Sequence, residues 1–133
     1  MSEDLTLNTL EQGNLRLQGR IICRGGFKLT VNKTLKVSEL QGVEFVQTIK
    51  YSYHLINHAD INVFRYDNAH VHAYLGHRSA YHVHRFESDG KECSGSPYEI
   101  PDLQNWPTLS EVLEQADRHF WDRYPLTPPS LEL

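Results

Sequence analysis

No stretch of the chain reaches the roughly 18 consecutive apolar residues that a membrane-spanning helix needs. The amino terminus, with Glu3 and Asp4 close behind Met1, also lacks the basic start and apolar run of a secretory signal. A cytoplasmic protein is expected. Cysteine is scarce: only Cys23 and Cys93 occur, 70 positions apart and without C-x-x-C spacing. That excludes a zinc knuckle and a disulfide framework and fits a reducing compartment. Positive charge is not in excess either. With a formal net charge of −4 at pH 7, the chain as a whole lacks the drive for non-specific nucleic-acid binding, so any such partner must be held locally. Repeats and low-complexity tracts are missing, and no serine stands in a G-x-S-x-G elbow.

What is present is enough for one core, since 133 residues lie in the common size range of a single domain. Strand periodicity comes first. Leu15 to Cys23 reads as a strand, and Gly25 and Gly26 supply the positive φ of a tight hairpin to the next, in which Phe27, Leu29, Val31, Leu35 and Val37 alternate. A further segment puts Val43, Phe45, Ile49, Tyr51, Tyr53 and Leu55 on one face, and Glu44, Thr48, Lys50, Ser52 and His54 on the other, so His54 should point away from the core. After a break at Asn57 to Asp60, Ile61 to Asp67 and Tyr81 to Glu87 read as two more strands. Helical spacing appears only in Leu109, Val112, Leu113, Ala116 and Phe120. Thr108 and Glu111 form a capping box at its start, and Pro125 stops it after Tyr124. The expected fold is α+β: an antiparallel sheet of five or six strands with one C-terminal α-helix packed on it. Residues 1–125 form this domain and 126–133 a tail, whose Leu131, Glu132 and Leu133 read as an expression remnant.

Seven of the eight histidines lie between His54 and His84, with Arg65, Arg78 and Arg85 against only Asp60 and Asp67. This window is locally positive and gains charge as histidines protonate near their usual value of about 6.5, which suits an anion such as phosphate. Two H-x-H pairs stand out, His70 with His72 and His82 with His84. Alternate residues of a strand share a face, so each pair puts two imidazoles side by side. A hairpin setting His72 opposite His82 and His70 opposite His84 would gather all four. Such a cluster can bind zinc or another divalent metal, or supply the proton donor and acceptor that flank a scissile phosphate. Gly76, His82, His84 and Glu87 approach the first cupin motif, but only Arg85 and Phe86 separate His84 from Glu87, and the second motif is absent.

The run Tyr51, Ser52, Tyr53, His54, followed by Phe64, Arg65, Tyr66, Asp67, Asn68, Ala69 and a histidine-rich H-x-H, resembles the TumE family of bacterial and archaeal toxins. The likeness extends over most of the chain. It departs after Ala69, where the family pattern has proline and two adjacent histidines and this chain has His70, Val71, His72. The resemblance implies a toxin of a toxin–antitoxin system, partnered by a helix-turn-helix antitoxin. Small toxins commonly act on RNA, and cleavage without metal needs a base for the 2′-hydroxyl proton, an acid for the leaving oxygen and a cation for the phosphorane. The expected catalytic residues are His70, His72, His82 and His84 with Arg65. Tyr51, Tyr53, His54, Tyr66, Asp67, Asn68 and Arg85 are the substrate-binding candidates, with Asp67 able to orient a histidine. No cofactor is expected on this reading. The alternatives are a zinc or other divalent-metal enzyme using the same four histidines, and a non-catalytic histidine-rich module. A purely structural reading of F-R-Y-D-N is an Arg65–Asp67 pair on one strand face and a turn at Asn68.

Overall fold

A computed structural model describes residues 2–68, 82–99 and 107–123. His70 and His72 therefore lie outside the described residues, as does the tail. Among them, seven strands form one antiparallel sheet in chain order: β1 (Ser2–Thr9), β2 (Leu15–Ile22), β3 (Lys28–Leu40), β4 (Val43–Ile56), β5 (Asn62–Asp67), β6 (His82–Arg85) and β7 (Tyr98–Glu99). One helix, α1 (Leu109–Arg123), follows. The α+β class, the antiparallel sheet and the single C-terminal helix are as expected; six strands have four or more residues, and β7 adds a two-residue seventh. Periodicity misses β7, which is too short to alternate, and the longer β1. β1 is polar, holds a sheet edge and leaves Leu7 exposed, so it carries little alternation to read. Its ladder to β2 relies on Gly19, where an added Cβ would lie 1.8 Å from the Asp4 carbonyl oxygen.

One face of the sheet makes the core. Ile21, Leu29, Val31, Tyr51, Tyr53, Leu55, Phe64, Tyr66 and Val83 are buried there together with Val112 and Ala116 of α1. Burying this apolar surface is the main stabilising term. The β2–β3 hairpin turns through Gly25 (φ 70°) and Gly26 (φ 77°), as the sequence predicts. Gly25 is doubly constrained, because a Cβ there would lie 2.6 Å from the Phe120 ring of the helix. The helix start also follows its sequence signal: the Glu111 amide donates to Thr108 Oγ1 at 3.2 Å, and the Thr108 amide lies 3.4 Å from Glu111 Oε1.

The alternation expected across β4 fails in its outer half. A register shift between Thr34 and Leu35 adds one residue to β4, so Val37 sits opposite Val46 and Ser38 opposite Phe45. Beyond the bulge the parity is reversed. Val43 and Phe45 leave the face of Tyr51, Tyr53 and Leu55. They belong to a two-stranded ribbon past the ends of β2 and β5, in which Val37, Leu40, Val43, Phe45, Val46 and Ile49 are all exposed. Asn68 holds the bulge: its Oδ1 accepts the Tyr51 amide at 2.8 Å and its Nδ2 donates to the Ile49 carbonyl at 3.1 Å.

Candidate functional site

Strand alternation divides both motifs between the two faces. In β4, Tyr51 and Tyr53 enter the core, while Ser52 and His54 turn the other way. In β5, Phe64 and Tyr66 face the helix, while Arg65 and Asp67 face away. The ladder then sets Arg65 opposite His84 and Asp67 opposite His82. His82 and His84 thus meet an arginine and a carboxylate, and on its other side His82 pairs with Glu99 of β7. This overturns the expected hairpin register, because the places opposite His82 and His84 are taken by Asp67 and Arg65 on one side and, at His82, by β7 on the other; His70 and His72 themselves fall outside the described residues.

Asp67 is the centre of this arrangement. Its Oδ1 lies 2.9 Å from His82 Nε2, and its Oδ2 accepts Arg65 Nε at 3.0 Å and lies 3.9 Å from His84 Nε2. Asp67 and His82 are buried, with side-chain exposures of 5% and 1%; His84 is 14% and Arg65 39% exposed. A buried carboxylate is costly unless compensated, and here a guanidinium and an imidazole N–H supply the compensation. The Arg65–Asp67 pair of the structural reading is therefore real and forms part of a larger cluster. The His82 and His84 rings meet edge to face with centroids 4.8 Å apart.

His84 has a second carboxylate that the sequence reading missed. Its Nδ1 lies 2.6 Å from Glu92 Oε1, and the same oxygen accepts Ser96 Oγ at 2.7 Å. Ser96 Oγ in turn accepts the Arg85 amide at 3.0 Å. Glu92 arrives because the chain reverses after β6 and Phe86 bridges Glu92, which puts Glu92 on the same face as His84. The Asp89–Gly90 turn between them was the available sequence signal. With Nδ1–H donated to Glu92, neutral His84 keeps its lone pair on Nε2, beside Asp67 and Arg65. Burial lowers the His84 pKa below the ordinary 6.5; the hydrogen bond to Glu92 opposes this, and the Arg65 charge reinforces it. Burial pushes the Glu92 carboxyl up, but hydrogen bonds from Ser96 and His84 prevail and hold it below its usual value.

The remaining candidates, His54 apart, lie elsewhere. Tyr51 and Tyr53 are buried on the helix side, and burial pushes the Tyr53 hydroxyl up to about 12, too high for proton transfer near neutrality. Tyr66 donates its hydroxyl to Gln115 Oε1 at 2.7 Å and accepts Arg85 Nη2 at 3.1 Å, tying β5 and β6 to α1 on the helix side. Asn68 serves the bulge. His54 shares the face of Arg65 and His84, with its Nε2 2.7 Å from Asn62 Oδ1.

Fold and site together define a small α+β protein whose sheet carries a compensated buried carboxylate, flanked by imidazoles, on the face opposite its helix. The chain belongs to the Toxin TumE family, whose model matches residues 5–119, a span that contains Arg65, Asp67, His82, His84 and Glu92. It is accordingly a toxin of a toxin–antitoxin system, and an antitoxin is its partner. No curated protein and no solved structure matches it. No helix among the described residues is long and apolar enough to cross a membrane.

Proposed function

We propose that this toxin is a metal-independent endoribonuclease whose base is His84 Nε2. The observation that carries the reading is the Glu92–His84–Asp67–Arg65 array: one imidazole oriented through Nδ1, kept neutral by burial, with a guanidinium beside its other nitrogen. His84 Nε2 takes the 2′-hydroxyl proton, the 2′-oxygen attacks the adjacent phosphorus, and the P–O5′ bond breaks with a proton delivered to the leaving oxygen. Arg65, partly exposed, faces the charge that develops on the phosphorane. His82 is too buried to touch RNA and acts as a positioning residue through Asp67. His70 and His72 are the proton-donor candidates on sequence grounds. An RNA partner and a helix-turn-helix antitoxin belong to the same proposal.

Untagged protein incubated with total RNA and excess chelator tests it. Cleavage is expected, leaving 2′,3′-cyclic phosphate ends. Growth inhibition without any RNA cleavage, with or without added metal, would rule the reading out.

A further inference from the structure

Three side chains of the cluster offer one ligand atom each, from Asp67, His82 and His84, and these atoms lie within 4.8 Å of one another. Two imidazoles and a carboxylate form a donor set that suits zinc, cobalt(II) and similar borderline divalent ions, while calcium and magnesium prefer oxygen throughout. Zinc-to-ligand distances near 2.0–2.2 Å put tetrahedral donors roughly 3.3 Å apart. His82 Nε2 lies 2.9 Å from Asp67 Oδ1 and His84 Nε2 lies 3.9 Å from Asp67 Oδ2, so each imidazole stands within about 0.6 Å of that value from its own carboxylate oxygen, and a small turn of the carboxylate presents one oxygen to both. The adjustment falls on His84, the more exposed of the two histidines. An outer layer is built as well, because Glu92 fixes the His84 ring through Nδ1 and Ser96 fixes Glu92, leaving Nε2 as the donor atom. Among the described residues, the guanidinium beside Asp67 is that of Arg65. Its partly exposed side chain is able to swing outward, and a dication on Asp67 would repel it.

We propose that Asp67, His82 and His84 form a binding site for a zinc-like divalent ion, and that filling it excludes the Arg65–Asp67 ion pair and the proton-accepting state of His84. His82 binds as its other neutral tautomer, with the proton moved to Nδ1, and water completes the coordination. The ion thereby occupies the lone pair that takes the substrate proton. Zinc is thus an inhibitor of the toxin, a consequence that rests on the ribonuclease reading; the binding site itself does not.

Chelator-treated, untagged protein titrated with Co²⁺ reads the site directly through the visible absorption of bound cobalt, with Zn²⁺ as competitor. One equivalent is expected to bind. His84→Gln should abolish the signal, and Glu92→Ala should weaken binding by about 10–100-fold. Arg65→Ala should tighten it, an outcome that misfolding would not mimic. No cobalt signal, binding unchanged in folded His84→Gln, or weaker binding by Arg65→Ala would overturn the proposal. RNA cleavage measured in the same samples separates the two readings. Cleavage that stops with one equivalent of Zn²⁺ supports both, and cleavage indifferent to bound zinc overturns the inhibitory role. Bound metal with no cleavage in either state leaves the binding site standing and removes the ribonuclease.

Discussion

The two faces of the sheet are made by the same strands, yet they solve opposite problems. On the helix side, Leu29, Val31, Tyr53, Leu55 and Phe64 are excluded from water against Val112 and Ala116, and stability comes from apolar burial. On the opposite side Asp67 and His82 are just as deeply buried, but there each buried polar group needs a named partner. Apolar packing tolerates approximate fit, whereas in the polar cluster removing the partner of a buried charge leaves that charge uncompensated. One motif serves both faces because its residues alternate.

Breaking each face separately should give different failures. Phe64→Ala removes a fully buried ring from the helix side and should cost about 3–5 kcal/mol, read as a large fall in denaturation midpoint with toxicity lost through unfolding. His82→Ala leaves the buried Asp67 carboxylate without its imidazole and should cost a comparable amount, about 3–5 kcal/mol, as expected for a broken buried pair. If His82→Ala melts like the wild type but loses activity, His82 touches substrate and its positioning role is wrong.

His84→Ala should separate chemistry from stability. A smaller change in melting temperature is expected beside a roughly 10²–10⁴-fold fall in RNA cleavage, the usual contribution of an acid or base. The pH dependence sharpens this further. The folded pKa of His84 is lowered, so its neutral form persists as pH falls through 6.5, and the acid limb of the cleavage rate should lie below 6.5. By the same sign, its contribution to stability is present above the unfolded value and is lost as pH falls through the lower folded value. An acid limb above 6.5 would assign the base to another group. The smallest effect is expected on the outer surface of α1, where Glu114 and Arg118 are exposed and 3.9 Å apart. Changing both to alanine should shift stability by no more than about 0.5 kcal/mol and leave cleavage unaltered. Asp117 does not belong with them, since it accepts Trp121 Nε1 at 3.1 Å and lies 3.6 Å from Arg24.

What was legible in the sequence was whatever repeats locally. Period-two alternation identified β2 to β6 to within a few residues at most ends, and the capping box marked the start of α1 within one residue. Alternation also assigned His54 to the face away from the core. It failed where a single residue changes parity, because nothing local in Val43 to Tyr51 marks Ile49 as extra; the bulge depends on Asn68, which lies just past the end of β5. The site was legible in composition but not in partnership. Histidines and Arg65 announced a cluster, yet the groups that organise it are Asp67, sought first among substrate contacts, and Glu92, outside the histidine window. Both act through contacts between strands, which spacing along one strand does not encode.

The Asn68 clasp has a mechanical consequence. Its side chain grips the β4 backbone on both sides of the bulge, at Ile49 and Tyr51, and its own backbone adjoins Asp67. The exposed ribbon of Val37 to Ile49 and the central carboxylate therefore share one joint. The anchor of the ribbon and the anchor of the site are thus consecutive residues, one peptide link apart, and Asn68→Ala removes the first without touching the second.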